Sequence, residues 1–240
     1  NASSCEKNSK KAIEVNGNFT KNLLLNAIEN NIKRFIFIST AHVYSSPLNG
    51  NINEKTKTKN NHPYATSNIV GENYVYEAHQ NGLIEGVIMR LSNTFGAPMT
   101  KQVNCWSLLI NDLCRQVVTR KNIILNSSGK QKRNFIPIND ACKAIEHLSN
   151  INIKKNSIYN VGSNLNTSVI EIAELINKRY FKLMGIKKDI IVNSGFEEKV
   201  KYNLEYDISK LLKSGFKLST ENLVYKEIDD LLIFCIKNFG

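Results

Sequence analysis

Several segments of this chain carry side chains that can exchange protons or bind phosphate. Ser39 and Thr40 close an apolar run, and Tyr64 opens a later segment. Asn93 and Arg133 follow farther along the chain. A tyrosine hydroxyl has a pKa of about 10, so it acts as a base near neutral pH only with help from a nearby positive charge. An arginine fork suits bidentate contact with phosphate. Each segment alone is a weak signal, whereas their order and spacing together are far more specific.

The elements that would position these side chains alternate between helix and strand. Helices are predicted over residues 10–31 and 63–80 from their apolar spacing and from Pro63 at a first turn. Strands are predicted over residues 34–39 and 86–91, where nearly unbroken apolar runs are typical of parallel strands covered on both faces. This alternation predicts an α/β fold with a parallel sheet.

The same alternation continues to the end of the chain. Ser168 and Glu171 have the spacing of a capping box at the start of one later helix. The predicted helices cover residues 104–120, 140–149, 167–176 and 221–238, and the predicted strands cover residues 122–125, 134–138 and 158–161.

In this order, the segments resemble motifs of the NAD-dependent epimerases and dehydratases of nucleotide sugars, an extended short-chain dehydrogenase/reductase family. Residues 36–44, Ile-Phe-Ile-Ser-Thr-Ala-His-Val-Tyr, are similar to a strand ending Ser-Ser/Thr-x-x-Val-Tyr. Residues 64–68, Tyr-Ala-Thr-Ser-Asn, are similar to Tyr-x-x-x-Lys, and residues 90–98 to Arg-x-x-Asn-x-x-Gly-Pro. The resemblance runs from Asn16 to Asp207.

The resemblance implies roles for individual residues. Thr40 would hydrogen-bond the reacting sugar oxygen, and Tyr64 would be the acid/base while hydride moves to or from nicotinamide. Asn93 would bind the sugar-nucleotide phosphates, and Arg133 would also bind the substrate. The implied cofactor-binding residues are Asn16, Ser39, Tyr64, Asn68 and Ser92.

The resemblance also implies the architecture and the ligands. A partial Rossmann-like parallel sheet with helices on both faces would be followed by a smaller C-terminal substrate-binding α/β lobe. Residues 1–96 with 139–165 would form the NAD-binding part, and residues 97–138 with 166–240 the lobe. NAD is the implied cofactor, with NADP as the alternative, and a nucleotide sugar is the implied substrate. The full-length protein would be a homodimer in surface-polysaccharide or glycan precursor synthesis.

The sequence departs from the family pattern at two points, and these departures leave an alternative function open. Asn68 stands where the family has a lysine, which favours a non-catalytic member that binds a nucleotide sugar or a partner subunit. No two of the twelve glycines lie three apart, so the Gly-x-x-Gly-x-x-Gly phosphate loop is absent from this chain. We expect the reading frame upstream of Asn1 to encode it.

The composition of the chain gives little support to other classes of function, such as nucleic-acid binding or metal binding. The formal net charge is +11, but the lysines are scattered and no arginine-rich stripe accompanies them, so charge alone gives little support for nucleic-acid binding. The five cysteines include no Cys-x-x-Cys pair and there is no His-Glu-x-x-His, so no metal site is predicted. No apolar run reaches the roughly 18 residues of a membrane span, and a reduced, cytoplasmic protein is expected.

Overall fold

A computed structural model describes residues 2–153, 157–193 and 203–240. The helices are α1 (Ala2–Lys7), α2 (Ser9–Ile13), α3 (Thr20–Glu29), α4 (Pro63–Gln80), α5 (Leu109–Thr119), α6 (Ile138–Asn150), α7 (Val169–Met184), α8 (Ser209–Lys213) and α9 (Glu221–Phe239). The strands are β1 (Arg34–Thr40), β2 (Gly50–Ile52), β3 (Glu85–Leu91), β4 (Asn93–Phe95), β5 (Asn122–Leu125), β6 (Lys132–Pro137), β7 (Ile158–Val161), β8 (Leu165–Ser168), β9 (Asp189–Val192) and β10 (Leu204–Tyr206). The mixed helices and parallel strands confirm the predicted α/β fold.

The chain divides into two compact units. The first comprises Asn1–Ser92, Cys142–Gly162 and Tyr206–Phe216, and the second comprises Asn93–Ala141, Ser163–Glu205 and Lys217–Gly240. The division inferred from the sequence placed residues 166–240 in one lobe, whereas Tyr206–Phe216 groups with the first unit. The parts of that division at residues 154–156 and 194–202 lie outside the described residues.

The first unit is built on a parallel sheet of order β1-β3-β7. Its register places Ser39 beside Arg90, and Arg90 beside Asn160. The next positions of β1 and β3, Thr40 and Leu91, are also neighbours. Because the strands are parallel, their carboxyl ends meet at one edge, where open α/β sheets hold their ligands.

The predicted helix over residues 10–31 is interrupted. A wider π-helical turn covers Glu14–Phe19, between α2 and α3. A Cβ atom on Gly17 would lie 2.8 Å from Val70 Cγ1, and one on Gly71 would lie 2.5 Å from the Asn16 carbonyl oxygen. The two glycines therefore let this turn and α4 approach closely, a contact that local periodicity does not encode.

Strand β1 is less buried than its sequence suggested. Phe35, Ile36 and Phe37 are half-buried and Ile38 is 49% exposed. The expectation of a strand covered on both faces is therefore wrong for the described chain. The reason is position, since β1 stands at one edge of the described sheet and pairs there with β3 alone.

The exposed edge predicts self-association of the 240-residue chain when it is made alone. Apolar edge strands pair with other copies, and a lysine at such a position opposes that pairing. Ile38→Lys should therefore keep the chain monomeric at higher concentration, as measured by sedimentation velocity. Leu83→Lys is the matched control, since Leu83 is 57% exposed in the turn before β3. A wild-type chain that stays monomeric at high concentration would contradict the prediction.

Two sheets and a core of its own are described in the second unit. Strands β4 and β6 are parallel, β6 and β8 are antiparallel, and β5 pairs with β9. Buried side chains of α5, α7 and α9 form the core, among them Leu113, Ile172, Ile176, Ile228 and Leu231. None of the helices described is both long and apolar enough to cross a membrane.

The helix boundaries of the second unit show what local signals can predict. The expected capping box is present, since the Glu171 backbone N–H donates to Ser168 Oγ and the Ser168 N–H donates to Glu171 Oε2 at 2.8 Å. Helix α5 begins at Leu109 and not near residue 104. Turn hydrogen bonds, including Leu108 N–H to the Cys105 carbonyl oxygen, occupy the preceding residues.

Candidate functional site

Helix α4 carries Tyr64, Asn68 and Glu72 at intervals of four residues, so the three side chains lie along one face. Its start is fixed by Pro63 in the first turn and by His62, whose Nδ1 accepts a hydrogen bond from the Tyr64 backbone N–H at 3.1 Å. These local contacts place Tyr64 at the beginning of the helix.

Thr40 ends β1 and lies within hydrogen-bond reach of Tyr64. Its Oγ1 accepts from the His42 backbone N–H at 3.2 Å, and its side chain lies close enough to Tyr64 for hydrogen bonding to affect the pKa of that phenol. Burial raises the pKa of Tyr64, the Thr40 hydrogen bond lowers it, and the charge of a Cys5 thiolate would raise it; the net shift is upward. The structure therefore gives Tyr64 a hydrogen-bonding partner and leaves it a neutral phenol near neutral pH.

The π-helical turn meets α4 beside Tyr64. Asn16 Nδ2 donates to Ser67 Oγ at 3.0 Å, and Ser67 Oγ donates to the Tyr64 carbonyl oxygen at 3.1 Å. Asn68 Nδ2 donates to the same carbonyl oxygen at 2.7 Å. Two of the predicted cofactor-binding residues, Asn16 and Asn68, thus lie around the turn that carries Tyr64. Asn68 supplies an amide there in place of a cation.

A buried ion pair lies one turn farther along α4. Arg90 Nη2 donates to Glu72 Oε2 at 2.6 Å and Arg90 Nε donates to Oε1 at 3.0 Å, with side-chain exposures of 7% and 5%. Ser39 Oγ donates to Glu72 Oε1 at 2.5 Å. Burial acts to lower the pKa of Arg90, but the hydrogen bonds and charge of Glu72 outweigh it and the pKa is raised. These contacts join β1, α4 and β3 beneath Thr40 and Tyr64.

Two buried tyrosines extend this polar network. The Arg90 Cζ atom lies 4.8 Å from the centre of the Tyr44 ring, and the Tyr44 hydroxyl donates to Asn160 Oδ1 at 2.6 Å. The Tyr206 hydroxyl donates to the Arg90 carbonyl oxygen at 2.6 Å. Burial raises the pKa of Tyr44 to about 12, against the lowering effect of Arg90. Both tyrosines are therefore neutral hydrogen-bond donors at physiological pH.

The remaining predicted site residues are Ser92, Asn93 and Arg133. Ser92 comes directly after β3, and its backbone N–H donates to the Val161 carbonyl oxygen at 2.8 Å. Asn93 and Arg133 lie in the second unit, on the paired strands β4 and β6. Asn93 Nδ2 donates to the Asn134 carbonyl oxygen at 2.9 Å, and burial lowers the pKa of Arg133.

The arrangement can move a proton at the Tyr64 hydroxyl and can hydrogen-bond a ligand oxygen through Thr40. Sequence reasoning missed the network of Glu72 and Arg90 that supports both. One signal was present, because a single charge inside the apolar segment 86–91 requires a buried partner. Among the described residues no group of three or more His, Cys, Asp or Glu side chains is placed to hold a metal ion.

Comparison with known proteins shows which family and fold this chain resembles. The model of the NAD dependent epimerase/dehydratase family matches residues 2–162. A dTDP-D-glucose 4,6-dehydratase of Homo sapiens is 28% identical over 160 residues, which are 67% of this chain and 44% of that protein. The match thus spans less than half of the relative's length.

Solved structures show the same fold. A UDP-N-acetylglucosamine 4-epimerase from Methanobrevibacter ruminantium M1, in complex with UDP-N-acetylmuramic acid, superposes with a TM-score of 0.83 at 20% identity, covering 99% of this chain and 74% of that one. RMD from Pseudomonas aeruginosa, complexed with NADPH, has a TM-score of 0.81 at 17% identity and covers 99% and 78%. At these identities the likeness is one of fold.

Proposed function

Because this chain belongs to the NAD-dependent epimerase/dehydratase family, we propose that the full-length protein modifies a nucleotide-linked sugar by transient oxidation with a nicotinamide dinucleotide. The observation that carries the proposal is the proximity of Thr40 to Tyr64 at the carboxyl end of β1, where hydrogen bonding by Thr40 acts to lower the pKa of the phenol. That pair joins a proton-transferring phenol to a hydroxyl that can orient a sugar oxygen. Turnover of nucleotide sugars by the full-length protein tests the proposal directly.

The hydrogen-bonding capacity of the side chains around Tyr64 supports a site for the ribose of the cofactor. One N–H of Asn68 is used by the Tyr64 carbonyl oxygen, so its second N–H and its oxygen have the capacity to bind a ribose hydroxyl. We assign Asn16, Asn68 and Ser92 to the cofactor. The Ser39 hydroxyl is bound to Glu72, so a cofactor contact of Ser39 would come from its backbone. When bound, the cofactor supplies the hydride acceptor and donor.

In the proposed reaction the phenolate form of Tyr64 takes the proton from a sugar hydroxyl, and the phenol so formed later returns it, while Thr40 holds that oxygen by a hydrogen bond. We assign Asn93 and Arg133 to the phosphates of the substrate, as the resemblance to the family motifs implies. An amide and a guanidinium are suited to this role because they donate hydrogen bonds to phosphate oxygens. The proposal extends to NAD as the cofactor, a homodimer and a cytoplasmic location. Light scattering of the full-length protein tests the dimer.

Asn68 stands where the family has a lysine, and this difference allows a separate test of the catalytic role of Tyr64. Asn68→Lys should move the rising limb of the pH–rate profile to lower pH, because an ammonium beside Tyr64 favours the phenolate and lowers its pKa. In the wild type the rising limb should lie at high pH, since the pKa of Tyr64 is raised by burial. The profile of kcat against pH is the measurement. Asn68→Gln is the control, because it lengthens the side chain but keeps an uncharged amide. An identical shift of the pH–rate profile in both variants would exclude the electrostatic explanation.

A second candidate function is binding without catalysis. The observation that favours it is the Asn68 amide bound to the Tyr64 carbonyl oxygen, where the family has a lysine. In that case a nucleotide sugar, or a partner subunit, would bind and no product would form. Calorimetric binding of nucleotide sugars together with a product assay distinguishes the two candidates.

A further inference from the structure

A cavity of about 740 Å³ lies in the first unit at the amino end of β7. Its walls include Asn152, Tyr159, Ser209, Lys210, Lys213 and Ser214. Thr40, by contrast, ends β1 at the carboxyl edge of the same parallel sheet. The cavity is therefore separate from the candidate active site, and the proposed function gives it no role.

Lys210 is the central cation of this cavity. Helix α8 presents its ammonium to the first residue of β7, where Nζ donates a hydrogen bond to the Ile158 carbonyl oxygen. The same Nζ lies 3.9 Å from the centre of the Tyr159 ring, within the range of a cation–π contact. A half-buried ammonium is thus held in place at the wall of an open cavity.

The side chains that line the cavity carry positive charge. Lys213 lies one helical turn after Lys210, and among the described lining residues there is no carboxylate. Ser214 Oγ donates to the Leu211 carbonyl oxygen at 2.6 Å and therefore accepts from His147 Nε2 at 2.9 Å. These bonds fix the wall beside α8, and Asn152 adds an amide donor to the lining of the cavity.

We propose that this cavity binds a small anion through a phosphate or carboxylate group, with Lys210 and Lys213 as its cationic contacts. The two ammonium groups supply charge-assisted hydrogen bonds. The volume is several times that of a single ion, so the cavity has room for a small organic molecule that carries the anionic group as well as for free phosphate. The proposed ligand class follows from the side chains that line this cavity. It does not depend on which nucleotide sugar is the substrate of the candidate active site.

The protonation of Lys210 provides a signature of this site. Burial lowers the pKa of Lys210 to about 8, opposed by the charge of Glu54. Tyr159 stays neutral, because burial and Glu54 raise its pKa against the lowering effect of Arg34. A bound anion favours the ammonium and so raises the pKa of Lys210. By linkage, anion affinity falls as pH rises through about 8, well below the pKa near 10.4 of an ordinary lysine.

Trace labelling of amines tests the site on the intact wild-type protein. Acetic anhydride reacts with the neutral amine, and peptide mass spectrometry gives the rate at each lysine. Inorganic phosphate or acetate should slow labelling of Lys210 several-fold and saturably, and the ion effective at lower concentration identifies the anionic group. Lys33, an exposed lysine of the same unit, should be unaffected. A Lys210 rate that neither ion changes, or equal slowing at Lys33, would overturn the proposal.

A variant adds an independent measurement. Lys213→Gln should raise the concentration of the protecting ion needed at Lys210 by about tenfold, the effect of losing one charge-assisted hydrogen bond. Lys33→Gln removes the same charge from the surface and should leave that concentration unchanged. An equal effect of both substitutions would mean that general surface charge, and not the cavity, attracts the anion. That result would contradict the assignment.

Discussion

Tyr64→Phe lowers turnover of a nucleotide sugar by about 10²- to 10⁴-fold in the full-length protein if Tyr64 is the acid/base. Only the hydroxyl is removed, and the phenyl ring still packs at the start of α4, so ligand binding should change little. The measurements are kcat with the nucleotide sugar that the wild type converts and the calorimetric Kd of the same ligand. A large loss in kcat with a small change in Kd is the pattern of an interaction that acts in the transition state.

Tyr76→Phe is the matched control for this substitution. Tyr76 lies on the same helix and is 41% exposed, so loss of its hydroxyl should leave turnover unchanged. If Tyr64→Phe also left turnover unchanged, the catalytic role of Tyr64 would be wrong. If the wild type bound nucleotide sugars and converted none, the binding function would stand in its place.

The parts of the fold that the sequence could predict are those set by local pattern. The strands Asn122–Leu125 and Ile158–Val161 occur at the predicted positions, because a short apolar run between polar turns is a sufficient signal. The interruption at Glu14–Phe19 was not predictable in this way. It depends on Gly17 and Gly71, which are far apart in sequence and meet only in the folded chain.

The same distinction applies to the candidate site. The nearness of Thr40 and Tyr64 was implied by the family motifs, and in the structure Thr40 lies close enough to Tyr64 to affect its pKa. Arg90 could be recognised as a buried charge that needs a partner, since it stands in an apolar strand. Which of the 21 acidic residues is that partner could not be read from sequence. Glu72 is selected by the register of β1 on β3 and by the packing of α4.

Arg90→Met should destabilise the first unit by about 3–5 kcal/mol, the cost of breaking a buried ion pair by removing one partner. The substitution leaves the Glu72 carboxylate with a hydrogen bond from the Ser39 hydroxyl but without its cation, in a place where its side chain is only 5% exposed. Native-state hydrogen exchange at the amides of β1 and β3 measures this loss in the first unit alone. Faster exchange of those amides is the expected result.

Two further variants show whether the loss arises from the buried charge. Glu72→Met with Arg90→Met removes both charges, and it should be less destabilising than Arg90→Met alone, because two apolar side chains can replace an ion pair at little cost. Arg179→Met breaks the Asp229 ion pair, whose side chains are 18% and 19% exposed, and should cost less because water still solvates the remaining charge. If Arg90→Met cost no more than Arg179→Met, the buried pair would not be what holds α4 against the sheet. The position of Tyr64 beside Thr40 would then have to come from the contacts at the start of α4, among them the His62 cap.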